Sequence, residues 1–399
     1  MISSGSDRTS AQERTYLDLR VIAEIVIGVI GAALVACAVI ANQQWLDRHF
    51  LPGFFVSRQL YVFVESFVRV LVVSIGAVLA LAARAPMARF IADNPARSFF
   101  SAIAIVLAFG ASELMLRQLH LRAAEEQPTT QEPRRRLDAR LGWVIVPGRA
   151  GHQVRGGRDV VYVFDEAGYR VRRVDEPVNP ERPTILFTGE SMIVGEGLEW
   201  EETIPAQTGA LLGIQSANLA VSGYANDQAY LRLRAELPRF RRPVAVVSLF
   251  TPALFDRNLD DDRPHLGPAL AWQPAEERWR LVAIARLLIR YRSTETIERG
   301  IALTREVLQA TVDLARSREA EPLIIVPRLA AEERRERVLR QRILDDAGLP
   351  YISIELGAGS RIPGDGHPNP RGAHAIAVAI AKRLKELRAF PDRKPPDVQ

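Results

Sequence analysis

The apolar residues of this chain follow two patterns, and the change falls near residue 120. Before it they run together. Residues 21–41 are apolar throughout except for Glu24, residues 60–83 form a second run containing Glu65 and Arg69, and residues 99–116 form a third with Glu113 near its end. A helix rises about 1.5 Å per residue, so about 20 residues cross a hydrocarbon core of about 30 Å. Each run is therefore read as a transmembrane helix, inside a membrane domain of residues 1–120. A cleavable signal peptide competes for the first run, because small residues occur at 36–41, but the apolar stretch is too long and two more follow it. Glu65 and Arg69 stand four apart on one helix face, where they can pair, pack helix against helix, or mark a transport path.

After a polar stretch at 121–140, read as a linker, the pattern alternates. Residues 141–173 carry β-branched and aromatic runs between glycine turns, a small β-rich lead-in. Short apolar runs at 184–188, 215–220, 244–250, 322–326 and 351–354 read as buried strands. Between and after them, 203–212, 227–237, 276–291, 297–317, 330–347 and 371–387 have helical character. Strand and helix in alternation predict an α/β fold with a mostly parallel sheet and helices on both faces, over residues 141–388. Residues 389–399 read as a disordered tail. No repeat period appears.

Composition narrows the classes. With 48% apolar residues in 399, the chain is too apolar to be disordered. The formal charge of +5 is modest for this length. Basic tracts at Arg134, Arg135 and Arg136 and at Arg239, Arg241 and Arg242 lack the spacing of any nucleic-acid motif, so they read as solvated charge and no nucleic-acid partner is expected. The single cysteine, Cys37, excludes an intrachain disulfide framework. Arginine lies mainly in the amino-terminal tail (Arg8, Arg14, Arg20) and between the second and third runs (Arg84, Arg89, Arg97), against Arg48, Arg58, Arg117 and Arg122 elsewhere. The positive-inside bias then places the amino terminus in the cytoplasm and, after three crossings, exports the carboxy-terminal domain. A multi-pass protein of a bacterial inner membrane with a periplasmic domain is the expected location.

Two stretches carry candidate chemistry. Ser191 follows the first strand of the alternating region in Thr188-Gly189-Glu190-Ser191, at the sheet edge where open α/β sheets bind ligands. His367 follows the last strand in Asp365-Gly366-His367-Pro368-Asn369, with a carboxylate two residues before it. Acyl transfer needs this set: an imidazole to take the hydroxyl proton and a carboxylate to orient the imidazole. The alternative is structural, with Ser191 and Asn369 or Asp365 serving only as helix caps. Asp260, Asp261, Asp262 and His265 are adjacent in a loop and cannot all face one site, so no metal centre is expected there. Gly195 and Gly197 lack the Lys-Ser/Thr of a phosphate loop.

The two stretches together resemble the SGNH/GDSL hydrolase family, a flavodoxin-like α/β/α sandwich of esterases, lipases and carbohydrate O-acyltransferases or deacylases. Gly189-Glu190-Ser191 is similar to its Gly-Asp-Ser block, Gly223 within 218–228 to its second block, and Asp365, His367, Pro368, Asn369 and Gly372 to its last. Phe164-Asp-Glu-Ala-Gly-Tyr-Arg170 and Glu202-Thr-Ile-Pro-Ala-Gln207 are similar to the flanks of envelope-associated members. The resemblance implies Ser191 as nucleophile, His367 as base, Asp365 as orienting carboxylate, and the N–H groups of Ser191 and Gly223 as oxyanion donors, with neither cofactor nor metal. It implies acyl esters of envelope glycans or lipids as substrates and the bilayer as partner, with water or a sugar hydroxyl as acceptor. Two departures stand out. Asp365 lies two residues before the histidine where the family has three, and Ala253 occupies the place of the third-block Asn, a loss typically worth about 3 kcal/mol. Asn226, Asn258 or Arg257 is the expected substitute donor. The competing reading is a catalytically weak or inactive protein of this fold in envelope assembly or glycan binding.

Overall fold

The computed structural model describes residues 4–50, 58–119, 132–357 and 359–387, so the expected tail lies outside the described residues, as does the expected linker up to residue 131. Two compact units are present: one of residues 4–50, 58–119 and Trp279–Tyr291, the other of 132–278 and 292–387.

The first unit is helical. Its long helices are Ser4–Ile40, Arg58–Ala77 running on through a π-helical turn Val78–Ala83 into Arg84–Asp93, and Pro95–Leu116. Three helices are long and apolar enough to cross a membrane: Tyr16–Ile40, Gln59–Asp93 and Pro95–Leu116. The second reaches further than the expected 60–83, since Pro86 falls in the first turn of Arg84–Asp93, just after the wide turn, where the helix accommodates it. The first two helices cross where both carry glycine. A Cβ on Gly31 would lie 2.6 Å from the backbone of Ala80 and Gly76, so only glycine permits that approach. Glu65 and Arg69 do not pair as the spacing allowed. Gln43 Nε2 donates to Glu65 Oε2 at 2.6 Å and Arg69 Nε to the Ala38 carbonyl at 3.1 Å, so each fastens its helix to the end of the first one. A short helix, Gln43–His49, follows that end.

The second unit is built on strands β1 (Arg135–Asp138), β2 (Gly142–Ile145), β3 (Arg149–Arg155), β4 (Arg158–Phe164), β5 (Thr184–Phe187), β6 (Gln215–Asn218), β7 (Pro243–Leu249), β8 (His265–Leu266), β9 (Trp272–Gln273), β10 (Glu321–Arg328) and β11 (Tyr351–Glu355). The main sheet runs β11-β10-β7-β5-β6, with every neighbouring pair parallel. The chain enters at β5, steps outward to β6, then crosses back over β5 to β7. The order reverses beside β5, and the crevice at such a switch point is where ligands sit.

Alternation along the strands sends residues to two cores. Ile185, Phe187, Val247 and Ile325 pack with Ile376 and Ile380 of helix Pro370–Glu386, while Leu186, Ala217 and Val246 face Leu233 of helix Asn226–Glu236 and Ala315 of helix Thr294–Arg316. Burying one such side chain contributes about 1.5–3 kcal/mol. The result is three layers, helices over sheet over helices, the flavodoxin-like α/β/α arrangement.

Two observations go beyond the sequence reading. Residues 276–291 were expected as one helix of the α/β region; the helix is Arg280–Leu288, and Trp279–Tyr291 belongs to the first unit. The lead-in is a pair of hairpins, β1-β2 and β3-β4, and single bridges through Arg170 join β4 to β6 at the sheet's open edge.

Candidate active site

Ser191 owes its position to a buried strand that stops abruptly. All four residues of β5 are buried, and a single helical turn, Ser191–Val194, begins three residues after it. The cap of that turn is Glu190, whose side chain accepts from Met192 N at 3.2 Å, so the capping role considered for Ser191 is taken by its neighbour. Ser191 Oγ lies 2.7 Å from His367 Nε2. His367 comes from the loop after β11. That loop is held by an Ile362 N–H to His367 carbonyl bond of 2.9 Å and by Asn369, which caps helix Pro370–Glu386 through Gly372 N at 3.0 Å. Asp365 Oδ1 accepts from the His367 amide at 3.1 Å and also contacts Nδ1 of the ring. The two-residue spacing thus still brings a carboxylate onto the imidazole.

Gly223 lies in the segment after β6, which is drawn along the end of β5 by bonds from Leu219 N to the Phe187 carbonyl (2.9 Å) and from Val221 N to the Gly189 carbonyl (3.2 Å). Among the described residues neither the Ser191 nor the Gly223 amide has a protein acceptor. Trp143 of β2 fixes this segment by donating Nε1–H to the Ser222 carbonyl at 2.9 Å, and Tyr224 returns a bond to the Trp143 carbonyl at 2.7 Å.

Charge surrounds the imidazole. Arg155, at the end of β3, forms ion pairs with both Asp365 and Glu196, and its Nη2 lies 3.3 Å from His367 Nδ1. It reaches there because β3 and β4 join through the two-residue turn Gly156-Gly157, both with positive φ (57° and 77°), a backbone that other residues adopt only at a cost. Burial would raise the Asp365 carboxyl, but the hydrogen bond from Arg155 and the contact with His367 outweigh it and hold the pKa at about 2. Glu190 also touches Ser191 Oγ. Its burial would likewise raise its pKa, yet Arg257, 3.2 Å away, together with Ser191 and His367, lowers it. Ser191 therefore has two acceptors for one proton. With imidazole neutral and its Nδ1–H given to Asp365, Nε2 and Glu190 compete for it. With imidazole protonated, Nε2–H donates to Oγ and the hydroxyl proton goes to Glu190.

In structure the chain is similar to GDSL-type esterases and lipases. A protein of the G-D-S-L family from Desulfitobacterium hafniense shares 12% identity, over 50% of this chain and 98% of that one, with a TM-score of 0.35. An acetyl xylan esterase from Butyrivibrio proteoclasticus shares 11% identity over 54% of this chain and 67% of that one, with a TM-score of 0.34. A carbohydrate acetylesterase from Sinorhizobium meliloti shares 12% identity over 52% of this chain and all 100% of that one, at 0.30. No family model and no curated protein matches the chain.

The substitute donors expected for the missing Asn divide. Asn258 is engaged away from Ser191: its Nδ2 donates to Thr304 Oγ1 at 2.9 Å and its Oδ1 accepts from Asp227 N at 3.2 Å. Asn226 gives its Nδ2 to the Leu249 carbonyl at 2.8 Å, the end of β7, so it braces the sheet. Arg257 is at the site, bridging Glu190 and the Tyr224 carbonyl, the latter at 3.2 Å. Ala253 falls in the short helix Pro252–Asn258, an element that the hydrophobic pattern does not predict. In the loop beyond, Asp260 is bound by Arg292 at 2.6 Å and Asp261 by Arg278.

Sequence reasoning missed Arg155, Glu190, Glu196 and Arg170. Arg170 is fully enclosed and donates to the carbonyls of Val194 (2.7 Å), Gly195 (2.6 Å) and Leu198 (2.5 Å), its guanidinium lying 4.4 Å over the Tyr162 ring. It clamps the loop that follows Ser191, and burial lowers its pKa to about 10. The Phe164–Arg170 flank was visible as a pattern, but nothing in it told that its last residue reaches residues 194–198.

Proposed function

We propose that this chain is a membrane-anchored serine esterase or O-acyltransferase of the SGNH type, acting on acyl esters of envelope glycans or lipids. The observation that carries the reading is the 2.7 Å contact between Ser191 Oγ and His367 Nε2, with Asp365 on the opposite ring nitrogen. Ser191 Oγ attacks the ester carbonyl carbon as its proton passes to Nε2. Charge gathers on the carbonyl oxygen, which the N–H groups of Ser191 and Gly223 receive. Collapse of the tetrahedral adduct breaks the ester C–O bond, and the leaving alkoxide takes the proton from Nε2. Water, or a sugar hydroxyl, then gives its proton to Nε2 and attacks the acyl-serine carbon, and as the second adduct collapses Ser191 Oγ leaves and takes that proton back from Nε2. Asp365 stays ionised throughout and holds the imidazolium in place. Three apolar helices long enough to cross a membrane support the membrane anchor, and the arginine distribution supports an exported second unit.

Labelling of the full-length protein with a fluorophosphonate probe tests the reading. S191A loses labelling and ester turnover, the latter by about 10⁴-fold or more. Undiminished labelling of S191A overturns it. A second reading, a protein of this fold with weakened chemistry, is favoured by one observation: Asn226 and Asn258 are both occupied elsewhere. It expects the unmutated protein to bind glycan esters without being labelled.

A further inference from the structure

The segment Trp279–Tyr291 lies in the sequence of the α/β region, between β9 and helix Thr294–Arg316, yet it forms part of the helical unit. Its helix, Arg280–Leu288, has nine residues, about 13 Å, too short to cross a bilayer. Both of its ends are fastened, and to corresponding places. At its start the amides of Arg280 and Leu281 donate to the Glu113 carboxylate at 2.9 and 3.1 Å; Glu113, itself 5% exposed, sits in the last turn of Pro95–Leu116. At its end Tyr291 stacks on His49 and Trp45, with ring centroids 5.5 and 5.9 Å apart, in and beside the short helix that follows Ile40. In a chain that crosses a membrane three times, the carboxyl ends of the first and third spans emerge at the same surface.

We propose that Trp279–Tyr291 is an interfacial anchor, lying along that surface with its outer face in the headgroup and upper acyl region of the phospholipid bilayer. Trp279, Val282 and Ile289 recur at helical spacing and are 63%, 47% and 60% exposed, a stripe of apolar side chains left largely uncovered among the described residues. From 279 to 291 there are three arginines, Arg280, Arg286 and Arg290, and no carboxylate. Short amphipathic helices with a basic side and tryptophan at the margin are the kind that lie in the plane of an interface, and anionic lipids favour them. Segment and spans thus share one occupant, the lipid.

This rests on the membrane reading above, and one set of samples separates the two. The C37S chain carries a single nitroxide on V282C or I289C, with V154C in β3 as a water-exposed control, in vesicles containing phosphatidylglycerol. Carbonate washing comes first, and then collision of each label with oxygen and with a water-soluble nickel chelate. The expected result is retention after the wash, with nickel accessibility at 282 and 289 at least fivefold below that at 154 and oxygen accessibility above it. Retention with nickel accessibility equal at all three positions overturns the anchor and leaves the spans standing. Release of the chain by carbonate removes both. As a second measurement, W279S/V282S/I289S keeps fluorophosphonate labelling but is shed from phosphatidylglycerol vesicles at lower detergent than the parent chain; unchanged detergent resistance counts against the anchor.

Discussion

The two units use the same kinds of residue in opposite directions. In the helical unit the large apolar side chains point outward: Phe63, Phe67, Val106 and Leu107 are all more than 60% exposed, while Glu113 is buried. In the α/β unit Ile185, Leu186, Phe187 and Val247 are sealed in. Close glycine contacts join the helical unit, with polar groups reaching across, Gln43 to Glu65 and Arg69 to the Ala38 carbonyl, which is how helices meet where lipid gives no hydrophobic reason to. Water drives the α/β unit inward, and one group of its buried polar residues lies where strands end and helices begin. Thr188, Glu190, Ser191 and His367 are all buried there. A site of this kind needs a core to hold it.

The contrast can be broken from either side. The largest effect is expected from Arg170. R170M removes the donors to three buried carbonyls in the loop after Ser191 and should destabilise the α/β unit by about 3 kcal/mol or more, read as a lower unfolding midpoint with labelling lost at temperatures the parent tolerates. R170K should not rescue it, since an ammonium on a flexible stem cannot reproduce the planar fork. An unchanged midpoint would mean that the loop is held by other contacts.

Next comes Gly31. G31L drives a side chain into backbone 2.6 Å away and should separate the first two helices, lowering the yield of detergent-resistant protein several-fold. Normal extraction of this variant would show that the glycine contact carries no weight.

The smallest effect is one of pH. Asp365 has a folded pKa of about 2, below the ordinary carboxylate value of about 3.9. A depressed folded value contributes stability that is complete above about pH 4 and is lost as the pH falls toward 2. Glu190, also lowered, adds to the same acid loss. Thermal unfolding of the full chain between pH 6 and 2 should show a midpoint that falls most steeply below pH 4. R155M should shrink that fall, since a folded value nearer the ordinary one of about 3.9 leaves less stability to lose on acidification, and a coincident profile in R155M would disconnect Arg155 from Asp365.

Much of this molecule was legible along the chain, for physical reasons that differ between its parts. Apolar runs of spanning length announce themselves, because lipid demands continuity. The central strands β5, β7 and β10 announce themselves too, because they are buried on both faces and apolar at most positions, whereas the edge strands β6, Gln-Ser-Ala-Asn, and β11, with Ser353 and Glu355 exposed, are marked more weakly. Ser191 and His367 were marked by glycine and proline around them and by their places after the first and last of those strands. The helix Pro252–Asn258 was not marked, since seven residues are too few to show a period.

What the sequence by itself determined is local: which stretches avoid water, which turn, and which short runs carry a nucleophile or an imidazole. What tertiary structure decided is partnership. Arg155 and Asp365 are separated by 210 residues, and Arg170 and Leu198 by 28, so no period or motif could pair them. Asn258, one of the three expected substitute donors, turned to Thr304 because a buried amide takes the partners that enclose it. Residues 279–291, which by order belong with the sheet, joined the long apolar helices because Glu113 and the aromatic rings of Trp45 and His49 offered contacts that order along the chain does not encode.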